Sequence, residues 1–176
     1  MVVSRRRPSV DNLISHIGRG HGNLIGNFSG IVIELKKIIL NNSTNNHTSN
    51  HITKSIYERA EIFRTKLVRH IQYEDNVVIP AIKQTCPEAE PRLNECVEDH
   101  NKLRKLTNDL CTVAQEIKAD AAKLSNISRL ILASLLQHIN DEDNFFMSLL
   151  VKMNRDQLGI FYEKLKKFKK IAKRTK

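Results

Sequence analysis

Two segments of this 176-residue chain make the same demand on any fold that contains them. His70-Ile71-Gln72-Tyr73-Glu74 and His138-Ile139-Asn140-Asp141-Glu142 each set an imidazole and a carboxylate four residues apart. On an α-helix that spacing stacks the two side chains one turn apart on a single face. The flanking apolar residues fix which way the face points. Ile56, Ala60, Phe63, Leu67, His70, Glu74 and Val77 follow one another at alternating spacings of four and three, so the pair falls in the buried stripe. An apolar seam tolerates a histidine and a glutamate only if something pairs with them. Two such motifs in one small chain point to a shared partner, and a metal ion supplies one.

The same periodicity recurs along the chain. A first helix, entered through Pro8 and capped by Ser9 or Asp11, carries the stripe Ile17, His21, Leu24, Phe28, Ile31, Leu35 and Ile38. Within it the run Gly18-Arg19-Gly20-His21-Gly22 is unusual, because glycine weakens a helix interior by roughly 0.5–1 kcal/mol against alanine. Small residues there leave either room around a metal or an access path, or a frayed turn. Residues 41–50 form a polar, asparagine-rich loop, and His47 and His51 beside it read as solvated. The second helix spans about 53–82, with Pro80 expected to kink or stop it.

A turn marked by Cys86-Pro87 and Glu90-Pro91 leads to a third helix that begins near Glu88 to Arg92. Its stripe is Leu93, Cys96, His100, Leu103, Leu106 or Thr107, Leu110, Val113 or Ala114, and Ile117. The fourth places Leu124, Ile127, Ile131, Leu135, His138, Glu142, Phe145 and Leu149 on one face. Asp156 is the expected cap of a short fifth helix with Leu158, Phe161, Leu165 and Phe168 inward. Three-and-four spacing belongs to antiparallel bundles. The expected fold is therefore all-α, an antiparallel up-down four-helix bundle over residues 10–152. A basic arm precedes it at 1–9, and a C-terminal helix with a basic tail follows at 153–176.

Composition narrows the setting. The net charge of +10 resides at the ends, in Arg5 to Arg7 and in eight basic residues after position 162, while residues 8–162 are balanced. A solvated tail is the plain reading, and a salt-sensitive contact with an anionic surface is the alternative. Three cysteines (Cys86, Cys96, Cys111) without CxxC spacing make neither a disulfide framework nor a zinc knuckle. No apolar run is long enough to cross a bilayer, and no leader-like segment follows the N-terminal arginines, so a reducing, cytoplasmic setting is expected.

Each of the four main helices thus presents one inward histidine, namely His21, His70, His100 and His138, and two add Glu74 and Glu142. Imidazole and carboxylate without thiolate favour iron or manganese over structural zinc, and carboxylates can bridge two ions. In this order the residues resemble the hemerythrin-like (HHE cation-binding) family, whose pattern is histidine, HxxxE, histidine, HxxxE on successive helices. The resemblance covers about residues 10–152 and implies a non-haem di-iron centre held by His21, His70, Glu74, His100, His138 and Glu142, with both glutamates bridging.

Family roles implied are binding or sensing of a diatomic ligand such as dioxygen or nitric oxide, and delivery of iron to apo iron–sulfur proteins under oxidative or nitrosative stress. Oxidation chemistry at the same centre would make the protein an enzyme, and binding is the preferred expectation. The chain departs from oxygen carriers on the third helix. They have two histidines one turn apart, whereas here Cys96 and Arg104 flank His100. His16, Cys96 and Asp143 are the remaining neighbouring or alternative ligands, Asp143 being expected beside the site rather than on the metal.

Overall fold

The computed structural model describes residues 10–41, 49–116 and 120–174. Every regular element among them is helical. In chain order these are α1 (Val10–Asn41), α2 (Ser49–Tyr73), a π-helical turn (Glu74–Val78), α3 (Ile79–Thr85), a 3-10 turn (Pro87–Ala89), α4 (Glu90–Gln115), α5 (Ala121–Lys152) and α6 (Arg155–Arg174). Helices α1 and α4 each pack against both α2 and α5. The four long helices therefore close into a ring, the four-helix bundle that the stripes require.

The stripes are buried largely as read. Leu24, Phe28, Ile31 and Leu35 of α1 face Ile56, Ala60, Phe63 and Leu67 of α2, together with Leu103 and Leu110 of α4 and Leu124, Ile131 and Leu135 of α5. Phe28 and Phe63 meet with ring centroids 4.8 Å apart, a contact that adds to simple burial. A second apolar cluster lies beyond the polar positions and joins Val77, Val78, Ile82, Leu93, Cys96, Phe146 and Leu150 to Phe161 and Leu165 of α6. Between the two clusters runs one layer of buried polar side chains, His21, Glu74, His100, His138 and Glu142.

Several local expectations change. Pro80 neither stops nor sharply ends the second helix. It sits in the first turn of α3, where its missing N–H is no loss. The π-helical turn just upstream absorbs the mismatch, with the Ile79 N–H reaching back five residues to the Glu74 carbonyl. Because that turn carries a surplus residue, Val77, Val78 and Ile79 are all buried in succession. In α5 the buried face rotates by one residue after Glu142. Phe146 and Leu150 are enclosed, and Phe145 and Leu149 are only partly covered.

Asn154, not Asp156, caps α6. Its Oδ1 accepts from the N–H groups of Asp156 and Gln157, and Gln157 Oε1 returns a bond from the Asn154 N–H, the reciprocal arrangement of a capping box. Asp120 does the same for α5 by accepting from Ala122 and Lys123. The expected α1 cap at Ser9 or Asp11, the side chains of Ile17, Ile38, His16 and His51, and all of His47, Ile117 and Arg5 to Arg7 lie outside the described residues.

Helix α6 packs against α3 and the π-helical turn through Phe161, 1% exposed, and Leu165. Replacing Phe161 by alanine is expected to lower stability by about 3 kcal/mol, the usual cost of emptying a buried aromatic site. Denaturant unfolding of the purified variant would read this as a lower midpoint with unchanged slope. An unchanged midpoint would mean that α6 contributes nothing to the second core.

Candidate metal centre

Glu74 closes α2 at the π-helical turn, one helical turn after His70, and Glu142 follows His138 in the middle of α5. His21 of α1 and His100 of α4 enter the same layer from the other two helices. His21 Nε2 lies 3.5 Å from Glu74 Oε1 and 3.1 Å from Glu142 Oε2. His70 Nε2 is 2.9 Å from Glu74 Oε1, His100 Nε2 is 3.4 Å from Glu74 Oε2, and His138 Nε2 is 3.5 Å from Glu142 Oε2. Close as these atoms are, none is aligned as a hydrogen bond. All four Nε2 atoms and all four carboxylate oxygens of the glutamates are buried without a hydrogen-bond partner.

These donors sort into two overlapping sets. His21, His70, Glu74 and Glu142 offer ligand atoms within 4.8 Å of one another, as do Glu74, His100, His138 and Glu142. Both glutamates belong to both sets. The rings pair accordingly, with His21–His70 and His100–His138 centroids each 4.8 Å apart and His21–His138 at 6.2 Å. The arrangement suits two cations with two imidazoles apiece and two carboxylates between them. Left unpaired, a buried polar group costs roughly 1–3 kcal/mol. Eight of them would consume most of a typical domain's stability of about 5–15 kcal/mol, so the donor set fits a metal centre far better than a bare polar core.

Two aspartates orient the outer pair of histidines. Asp143 Oδ1 accepts from His21 Nδ1 at 2.9 Å, and Asp75 Oδ1 accepts from His100 Nδ1 at 2.7 Å. Since a carboxylate can only accept, Nδ1 carries the proton and Nε2 is left to face the centre. Asp143 thus meets the layer through His21 and belongs to neither set of converging donors. Arg104 Nη2 donates to Asp75 Oδ2 at 2.6 Å, so Arg104, one turn after His100, braces that histidine indirectly. Asp75 as a supporting group was not singled out from the sequence. Its repeated Glu-Asp dipeptide, Glu74-Asp75 and Glu142-Asp143, is the signal that could have found it.

Cys96 is not among the converging donors. It packs in the second core, where burial, with the nearby Glu142 charge, pushes its thiol up to about 12. The glycine run has a specific role at one position. A Cβ on Gly20 would stand 2.8 Å from Cε1 and Nδ1 of the His70 ring, whereas one on Gly22 would meet nothing. Gly20 therefore makes room for His70, and any side chain there would displace the imidazole from the layer.

The charges in the layer are interdependent. Burial opposes a charged His21, but Glu142 and Glu74 outweigh it and raise the imidazole pKa to about 10. Burial likewise opposes the Glu74 carboxylate, yet His21 and His70 hold it well below the usual range. Glu142 is pushed upward by burial and by the charge of Glu74. His138 is lowered to about 4 by burial and by the neighbouring His100. Burial opposes the charge on Asp75 too, but His100 and Arg104 lower its pKa.

The chain matches the hemerythrin HHE cation-binding domain over residues 32–150, more than half its length. It belongs to that family. The matched span contains His70, Glu74, His100, His138 and Glu142 but begins after His21, whose place in the set rests on the geometry above. Comparisons with curated proteins and with solved structures find no match.

Two outcomes test the donor set. Because Glu74 is common to both donor sets, Glu74→Ala is expected to abolish metal uptake, whereas His70→Ala, which touches one set, is expected to reduce it, as read by metal analysis of purified protein. Full metal content in Glu74→Ala would overturn the assignment. The second concerns pH. With a pKa near 10, the metal-free His21 imidazolium holds at neutral pH a proton that a cation must displace. Metal affinity should therefore rise with pH from neutrality toward 10 and fall in acid. Calorimetric loading in buffers of differing ionisation enthalpy should show about one proton or more released per protein, and a buffer-independent heat would contradict it.

Proposed function

We propose that this chain is a non-haem di-iron protein that binds or senses a small ligand such as dioxygen or nitric oxide. The observation that carries the reading is the pair of donor sets sharing Glu74 and Glu142 in a largely buried layer of the bundle. Nitrogen and carboxylate donors without thiolate favour iron or manganese over structural zinc, and the reading takes iron. Two histidines and two shared carboxylates per ion leave coordination positions open to an incoming molecule. The chain's own contribution is to hold the His21 and His100 imidazoles in one tautomer, keep two carboxylates unpaired, and exclude bulk water from three of the four histidines.

A second reading, donation of iron to an apo iron–sulfur protein, is favoured by one feature. His70 is 14% exposed while the other three histidines are at most 3% exposed, so one half of the layer borders solvent and offers a path for exchange. Purification with and without air, followed by metal analysis and ultraviolet–visible spectroscopy, tests both. Near two iron atoms per chain and a visible band that responds to dioxygen or nitric oxide would support ligand binding. Rapid loss of ferrous iron to an apo iron–sulfur protein, with no response to either gas, would support donation. Protein that takes up no iron under any condition would sink both.

A further inference from the structure

The less buried half of the centre opens into a cleft of about 790 Å³ between α1 and α2, with His70 and Glu74 in its lining. Its size and charge do not suit a diatomic gas. A molecule of that kind needs about as much space as a water, on the order of 30 Å³, and gains nothing from formal charge. Yet Arg19, Lys66 and Arg69 line the cleft, and among the described residues that do, Glu74 is the one carboxylate. Asn23 and Asn27 add amide groups. Lys66 spans the cleft, its Nζ donating to Asn27 Oδ1 at 2.6 Å, so its bonded partner is neutral and leaves the lysine charge uncompensated.

We propose that this cleft is a binding site for a small oxyanion, a phosphate- or carboxylate-bearing molecule held beside the His21–His70 half of the centre. Guanidinium groups match two oxygens of such an anion at once, and a lysine adds a compact charge. Concave walls of one sign concentrate counter-charge at the opening. The volume lies within the range of small-molecule sites, about 300–1,000 Å³. At the inner end Glu74, 1% exposed and with both oxygens lacking hydrogen-bond partners, lines the cleft. That carboxylate would repel an anion by itself. With cations bound by both donor sets the inner end becomes positive, so the proposal rests on the dinuclear reading above and assigns the class of molecule admitted to it.

The test uses metal-loaded protein with inorganic phosphate and with acetate as probes, followed by calorimetry at two salt concentrations. Wild-type protein is expected to bind one of them at one site, more weakly as salt rises. The tighter of the two names the headgroup. The Lys66→Gln/Arg69→Gln double variant, which changes two exposed residues, should bind it at least about tenfold more weakly. Lys66→Arg/Arg69→Lys should recover most of the loss, and uptake of uncharged nitric oxide should be the same in all three proteins. Metal content measured on the same samples separates the two ideas. Metal-free protein overturns the dinuclear reading and this proposal with it. Fully loaded protein in which the double variant binds like wild type, in which neither probe binds, or in which nitric oxide uptake falls equally, overturns this proposal alone.

Discussion

Two glutamates buried side by side in the middle of a helical bundle are the constraint on which the rest of the molecule turns. Glu74 and Glu142 are at most 1% exposed, and a pair of carboxylates in such a place is strongly unfavourable unless positive charge lies between them. The bundle answers by bringing one imidazole from each long helix to the same level. It then places an apolar cluster on either side. The polar layer is thus walled off above and below, and low dielectric strengthens whatever electrostatic interaction is made within it.

The layer is built twice from the same parts. A helix bearing one inward histidine precedes a helical segment bearing His-x-x-x-Glu-Asp, first as α1 and then α2 with its π-helical turn, again as α4 and then α5. Each half supplies the two imidazoles of one donor set, both halves share the glutamates, and each aspartate crosses over to hold the lone histidine of the other half. The symmetry is broken at the periphery. Asp75 is pinned by Arg104, Asp143 is 41% exposed, and the α1–α2 side opens into a charged cleft. One fold thereby offers two overlapping donor sets with the same residue types and different surroundings.

Most of this plan is legible in the order of residues. Burial on a helix follows from spacing, so the inward positions of His21, Glu74, His100, His138 and Glu142 could be read before any coordinates, as could the four long helices. What escaped reading depends on contacts between elements or on departures from regular geometry. The π-helical turn shifts the register by one residue, which no 3.6-residue template anticipates. The role of Gly20 depends on a ring carried by another helix. The Asn154 cap competed with an equally plausible aspartate two residues later, and only the backbone geometry decides between them. The Asp75–His100 and Asp143–His21 bonds join residues 25 and 122 positions apart, beyond the reach of any local pattern.

The π-helical turn also divides the second helix into two parts with different duties. One residue on a helix turns its neighbours by about 100°. The surplus residue between Glu74 and Ile79 therefore lets everything up to Glu74 be aimed at the polar layer, while Ile79, Ala81 and Ile82 are aimed independently at α6 and the second core. Shortening this turn by one residue would force a single orientation on both parts. The protein could then keep its ligands or its lower packing in register, but not both.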